Sequence, residues 1–281
     1  MKFIFYTYFL FVSISALSAA PITTRKLLLR PSSLVGEYRS TWDNMIELKT
    51  DGTFFRGWQA DLCVPEDHDL YIGHKGKWKV IGDKVVFGTG ETDDDQYYPV
   101  KWGQRRYLIE ADGIIDFIND INLGIEPKSK VDLDLVRYIR LFDEEKLVYG
   151  DPILPRAYSH MLLKRPVFGR IVSRSLLKLT ATIDVGKADG IYVGMKLYSN
   201  YGFVAVTKVQ DKQSIVKIFN TRYHSKRCQV SHISKLKWIS TVHSSYRPNL
   251  KLFIKGDTKA LSRFTVPKEL ADLTKNKTPK R

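Results

Sequence analysis

Turn signals set between short β-prone runs leave this chain few ways to fold. In NMIELKT-DG-TFFRGW, Asp51-Gly52 separates two such runs, and Asp-Gly supplies the positive φ angles that a two-residue hairpin needs. GKWKVIGDKVVF repeats the device at Gly82-Asp83. Tyr38, Trp42, Phe54, Phe55, Trp58, Trp78 and Phe87 fall among these runs, enough aromatic volume to fill the centre of a small barrel or sandwich. The fold class expected is therefore mainly β, built from antiparallel strands.

The period changes in RRYLIEADGIIDFINDINLGIEPKSK. Ile114, Ile115, Phe117, Ile118 and Ile121 recur at helical spacing, which predicts one short helix capped by Asp112 and stopped by Gly124 ahead of Pro127. A helix placed between strands in this way is expected to close the open end of the barrel as a lid. VDLDLVRYIRL, residues 131–141, returns to alternation, with Leu133, Leu135 and Ile139 on one side. Pro152, Pro155 and Pro166 then disfavour regular structure, and the domain boundary falls near Arg165-Pro166.

Beyond it, Leu177, Leu179, Ala181, Ile183 and Val185 alternate with Lys178, Thr180, Thr182 and Asp184, as in a strand with one wet face. GFVAVTKVQ, SIVKIFN and QVSHISKLKWISTV read as further strands. Connections this short join only antiparallel strands, so two small antiparallel β-barrel or sandwich domains are expected, one over 21–163 with the short helix and one over 166–243. Residues 244–281 read as a basic, poorly packed tail with a short helix at 268–273.

Glycines fall at every fourth position in LTATIDVGKADGIYVGMKLY: Gly186, Gly190 and Gly194. A phosphate loop needs its glycines between a buried strand and a helix N-terminus. Here Gly186 ends a half-wet strand, Asp189-Gly190 is a turn signal, and IYVGMKLY is again β-prone, so the glycines are expected to shape structural turns. TIDVGKADGIYVGMKLY, continued by GFVAVTKVQDKQSIVKIF, resembles the β-domain of the rod-shape-determining periplasmic scaffold family and the C-terminal domain of flagellar assembly protein T. The shared pattern is a strand, a glycine, an Asp-Gly turn, a Val-Gly pair and a G-x-x-x-V-x-x-V strand. Gly186, Asp189, Gly190, Val193, Gly194, Gly202, Val206 and Val209 match it. The resemblance implies a small β-domain with an envelope scaffold role, although no coiled-coil heptad run precedes it here.

The first domain resembles lipocalin-like envelope domains in Gly36-Glu37-Tyr38, in Leu48 with Asp51-Gly52-Thr53-Phe54, and in Gly76-Lys77-Trp78 with the hairpin after it. That resemblance implies an up-and-down barrel able to hold a small apolar ligand, lined by Trp42, Phe54, Trp58, Trp78 and Phe87. A barrel of about eight strands is otherwise filled by its own side chains, and this aromatic load favours filling.

Motifs for chemistry are sparse. Cys63, Glu66, Asp67, His68, Asp69 and His74 crowd together, but their spacing matches no standard metal-ligand pattern. Asp93-Asp94-Asp95 lacks the glycine and distal glutamate of a calcium loop and reads as a wet turn. No G-x-S-x-G occurs, and His160, His224, His232 and His243 have no motif around Cys63 or Cys228. Neither a metal, a cofactor nor a catalytic residue is expected. An envelope-polymer hydrolase would need two carboxylates facing each other across a cleft.

Charge and the N-terminus speak to partner and compartment. Residues 21–150 carry 18 Lys+Arg against 23 Asp+Glu, whereas 151–281 carry 26 against 7, a net +19 within a total of +15. Such asymmetry implies an anionic partner for the second half; Tyr246, Phe253 and Phe264 are too irregular for the stacking platform of a nucleic-acid binder. Candidate contacts are Arg170, Arg174, Lys178, Lys187, Lys208, Lys212, Lys226, Arg227, Lys235 and Lys237. MKFIFYTYFLFVSISALSAAP has one early lysine, an apolar run and small residues, a signal-peptide layout over residues 1–18. Cleavage would place the protein in a periplasm or outside the cell, where Cys63 and Cys228 either bridge or stay as separate buried thiols. The function expected is a non-enzymatic exported envelope protein that binds through its basic β-domain. The alternatives are a periplasmic carrier of an apolar ligand and the hydrolase.

Overall fold

The computed structural model describes residues 30–40, 44–59, 71–88, 95–125, 130–132, 135–148, 150–218 and 226–241. It is mainly β and forms two closed antiparallel barrels. The first is an up-and-down meander of β1 (Gly36–Arg39), β2 (Asn44–Leu48), β3 (Thr53–Gln59), β4 (Tyr71–Ile81), β5 (Lys84–Gly88), β6 (Asp95–Trp102) and β7 (Arg105–Glu110). β8 (Lys130–Asp132) and β9 (Leu135–Arg140) follow. β9 lies beside β7 and closes the barrel by pairing with β1, Tyr38 opposite Arg140. Residues 131–141 are thus not one strand; the chain reverses between β8 and β9, with Asp132 opposite Leu135.

The turns follow from their residues. At Gly82-Asp83 the strands meet at Ile81 and Lys84, leaving the two-residue loop expected, with positive φ at Gly82 as a type II′ turn requires. The Asp51-Gly52 loop is longer than expected. Lys49 N donates to Thr53 O at 2.9 Å, so Thr50, Asp51 and Gly52 form a three-residue loop with Gly52 left-handed at φ 79°. The Asp51 carboxylate accepts from Thr53 N and Thr53 Oγ1 at 2.9 and 2.6 Å, which fixes that geometry and lowers its pKa.

Alternation along each strand sends one set of side chains inward. Tyr38, Ile46, Leu48, Phe54, Val85, Phe87, Tyr97, Leu108 and Tyr138 form one buried cluster, joined by Leu34 from α1 (Pro31–Leu34). The opposite set on β6, β7 and β9, namely Tyr98, Val100, Trp102, Tyr107, Ile109 and Ile139, is just as apolar and is buried as well. What covers it is α2 (Ile114–Leu123). The helix is therefore not a lid: it lies along the outer wall, with Phe117 edge-on to Tyr107 at 5.2 Å. Physically, α2 buries residues on every side, and a lid would leave half of them wet. Nor is Asp112 its cap. A 3₁₀ turn, Ala111–Gly113, leads into the helix, and Gly113 stands at the N-cap without a side-chain bond. Gly124 ends it in the left-handed region, as expected.

The second barrel comprises β10 (Phe168–Ser175), β11 (Thr180–Ile183), β12 (Lys196–Ser199), β13 (Gly202–Val209), β14 (Ser214–Ile218) and β15 (Trp238–Ser240), closed in the order β10-β11-β14-β13-β12-β15. Ala181, Ile183, Leu197, Val204, Val206, Val216 and Ile239 fill it and belong to the same buried cluster as α2. Two expectations fail here. Leu177 and Leu179 do not continue the inward face of β11, because residues 176–179 form the β10–β11 turn and Thr180 pairs with Ser175. QVSHISKLKWISTV is not one strand either: α3 (Lys226–Lys235) takes its first part. Ile233 and Leu236 are three apart and both buried, which a helical turn achieves and a strand would not.

Candidate functional site

The two barrels are joined by polar groups that apolar patterning conceals. Asn119 Oδ1 accepts from Tyr192 OH at 2.8 Å and Lys196 N at 3.1 Å, while its Nδ2 donates to Gly194 O at 2.9 Å. Asn122 Nδ2 donates to Met161 O and Tyr192 OH at 3.0 and 3.2 Å, and its Oδ1 accepts from Leu163 N at 3.0 Å. On the helix's other side Arg137 of β9 donates to Asp120 at 2.6 Å and to Asp116 at 2.8 Å. Burial raises the Asp120 pKa even against the Arg137 charge, and burial pushes the Tyr192 hydroxyl up.

The glycine stretch lies at this joint. Gly186 N donates to Asp189 Oδ2 at 2.9 Å across a 3₁₀ turn, Lys187–Asp189, which ends at left-handed Gly190. A Cβ on Gly186 would meet Gln210 O at 2.3 Å, and the positions of Lys187 N and Ala188 N, bonded to Gln210 O and Asp211 O, explain the close approach. Gly194, also left-handed, faces Ile115 of α2. No α-helix starts at Gly190; Asp189, Gly190 and Gly194 shape a crossing between β11 and β12.

Inside the first barrel, Phe54 and Phe87 stack at 4.5 Å, Phe87 and Tyr97 lie 4.9 Å apart, and Tyr97 meets Tyr138 edge-on at 6.0 Å. Trp78 is half-buried beside them and donates from Nε1 to Lys49 O at 3.1 Å. Trp42 and the side chain of Trp58 lie outside the described residues, so of the five expected lining residues three are brought together. Sequence reasoning missed Arg56, whose guanidinium pairs with Asp95 across the barrel from β3 to β6. Burial pushes the Tyr97 and Tyr138 hydroxyls up. Asp95 is accordingly a paired strand residue, not part of a wet turn; Asp93 and Asp94 lie outside the described residues. His74 is exposed on β4, and the rest of its acidic loop, with Cys63, lies outside the described residues, as does the Cys228 side chain. Among the described residues no three ligand-type side chains gather in a metal-sized group.

The basic surface is borne by the second barrel. Arg170 and Arg174 stand on β10, Lys178 in the following turn, Lys187 in the 3₁₀ turn, Lys208 on β13, Lys212 in the β13–β14 turn, Lys235 at the end of α3 and Lys237 just after it. All eight are exposed, and among the described residues none is in an ion pair, those pairs lying in the first barrel and its joint. Arg174 alone is committed, its Nη2 donating to Leu236 O. The side chains of Lys226 and Arg227 lie outside the described residues. Lys217 on β14, exposed and opposite Thr180, was missed because its run read only as a strand. Of the nearby acids, Asp184 accepts from Arg170 N at 2.6 Å and Asp189 from Gly186 N, while Asp211 is exposed next to Lys212. The exposed cations are thus spread around the second barrel, β13 lying three strands from β10 in its closed order.

Among the described residues no helix is long and apolar enough to cross a membrane. Compared with protein-family models, with curated proteins and with solved structures, the chain matches none of them.

Proposed function

We propose that the protein is a non-enzymatic, exported component of a cell envelope whose basic second barrel docks on an anionic envelope component, with the first barrel as its rigid companion. The observation that carries this is the set of eight exposed cationic side chains in the second domain that, among the described residues, make no ion pair. The signal-peptide layout of residues 1–18 supports a periplasmic or secreted location, and the likeness of the span from Gly186 to Val209 to periplasmic scaffold β-domains supports a binding role. The carrier alternative is weakened by the stacked Phe54, Phe87, Tyr97 and Tyr138, which occupy the space a ligand would need. For the hydrolase, the carboxylates Asp116 and Asp120 lie on one helix and are both held by Arg137.

Co-sedimentation of the purified chain with a washed envelope fraction tests the proposal. Binding at low salt that is lost at high salt is the expected result, since screening weakens exposed charge contacts. Binding indifferent to salt, or none, contradicts it.

A further inference from the structure

We infer that the β10–β11 hairpin tip inserts into an anionic lipid bilayer, which deepens, and rests on, the proposed docking of the basic barrel. The turn between Ser175 and Thr180 is SLLKLT, and it presents apolar side chains to water: Leu177 is 97% exposed and Leu176 45%. Val172, at the irregularity in the β10–β11 register, is 54% exposed on the same hairpin. The turn is held in shape rather than frayed. Leu179 sits in the left-handed region at φ 52°, a conformation that leucine seldom adopts, and Lys178 N donates to Ser175 Oγ at 3.4 Å.

Two cations adjoin this tip: Lys178 within it and Lys217 beside Thr180 on β14, both exposed, while Arg170 stands at the other end of the hairpin, its N donating to Asp184 Oδ1. The hairpin's one acid, Asp184, is at the far end of β11, four residues or about 13 Å from Thr180. An apolar point flanked by two lysines complements a bilayer with acidic headgroups: leucines reach the acyl boundary while the ammonium groups stay at headgroup level. A stable protein interface needs roughly 600 Å² or more from each partner, and a four-residue tip does not provide that. Insertion of two leucines plus headgroup contacts does not require it.

The test uses the full chain, vesicles of phosphatidylcholine alone or mixed with phosphatidylglycerol, and a polyanion resin in parallel. Wild type is expected to bind the mixed vesicles. The double variant Leu176→Ser with Leu177→Ser should bind them at least about tenfold more weakly while eluting from the resin at unchanged salt. Phe142→Ser, which removes an exposed phenylalanine elsewhere, should change neither. Leu177→Trp should add emission that brominated lipid quenches. Vesicle binding unaffected by the double variant overturns the insertion. So does resin binding without vesicle binding, which leaves the anionic-partner reading standing; failure on both surfaces removes both.

Discussion

Asn119 and Asn122 carry the junction because each is surrounded by groups that only an amide can satisfy together. Their partners come from two separated stretches of chain, at residues 161–163 and 192–196. On the neighbouring turn, Asp120 is kept partly at odds with its surroundings, since burial raises its pKa above 3.8. A carboxyl with a raised folded pKa favours the fold while protonated, so its contribution is complete below the unfolded value and drains away as pH rises through the folded one. Urea denaturation of wild type against Asp120→Asn should therefore show the wild type losing ground to the variant as pH rises above the ordinary carboxylate range; a gain on that rise contradicts the assignment. Gly186 is constrained by space: a Cβ would run into backbone at 2.3 and 2.6 Å. Gly186→Ala should cost about 2 kcal/mol or more, against about 1 kcal/mol at Gly82, where φ is left-handed but the space is open. Thermal melts of the two variants read the order directly.

Among the elements, α2 determines the arrangement. Its position was not legible in the sequence, although its existence and its Gly124 stop were. Helical spacing at Ile114, Phe117, Ile118 and Ile121 says that the helix needs an apolar neighbour, not which one. The neighbours are the outer wall of its own barrel, whose β7 runs directly into it, and a second barrel whose Gly194 lies 75 residues from Asn119. The hairpin at Gly82-Asp83 and the β13–β14 pair of the second barrel were readable because a turn and its strands are local, whereas the β10–β11 turn was hidden by alternation that runs through it. The β6–β7 hairpin around Gly103, left-handed at φ 57°, carried a readable signal that the conspicuous helix after it obscured. Truncating the helix at its most enclosed ring tests its role: Phe117→Ala, fully buried against Tyr107 and under Arg137, should destabilise by about 3–5 kcal/mol. A loss under about 1 kcal/mol in chemical denaturation would show that the helix is a superficial addition.

At the scale of the molecule, one buried cluster runs from the outer wall of the first barrel through α2 into the interior of the second. Two barrels sharing a core are expected to unfold in one transition, seen alike by near-ultraviolet and far-ultraviolet dichroism; two separated transitions would deny the shared core. The charge is divided differently from the core. Among the described residues the ion pairs lie in the first barrel and its joint, whereas the exposed cations of the second barrel make none, and the net +19 after residue 150 made the cation excess legible in sequence. How those cations are distributed around the barrel was not, because strand order decides it.

The most direct measurement is the salt dependence of binding to a soluble polyanion. The wild type is compared with a variant carrying Arg170→Gln, Lys178→Gln, Lys208→Gln and Lys212→Gln. Each cation that displaces counterions steepens the plot of log affinity against log salt, so the variant's slope should be shallower by about three. A slope identical to that of the wild type would place the contact away from the second barrel and contradict the account.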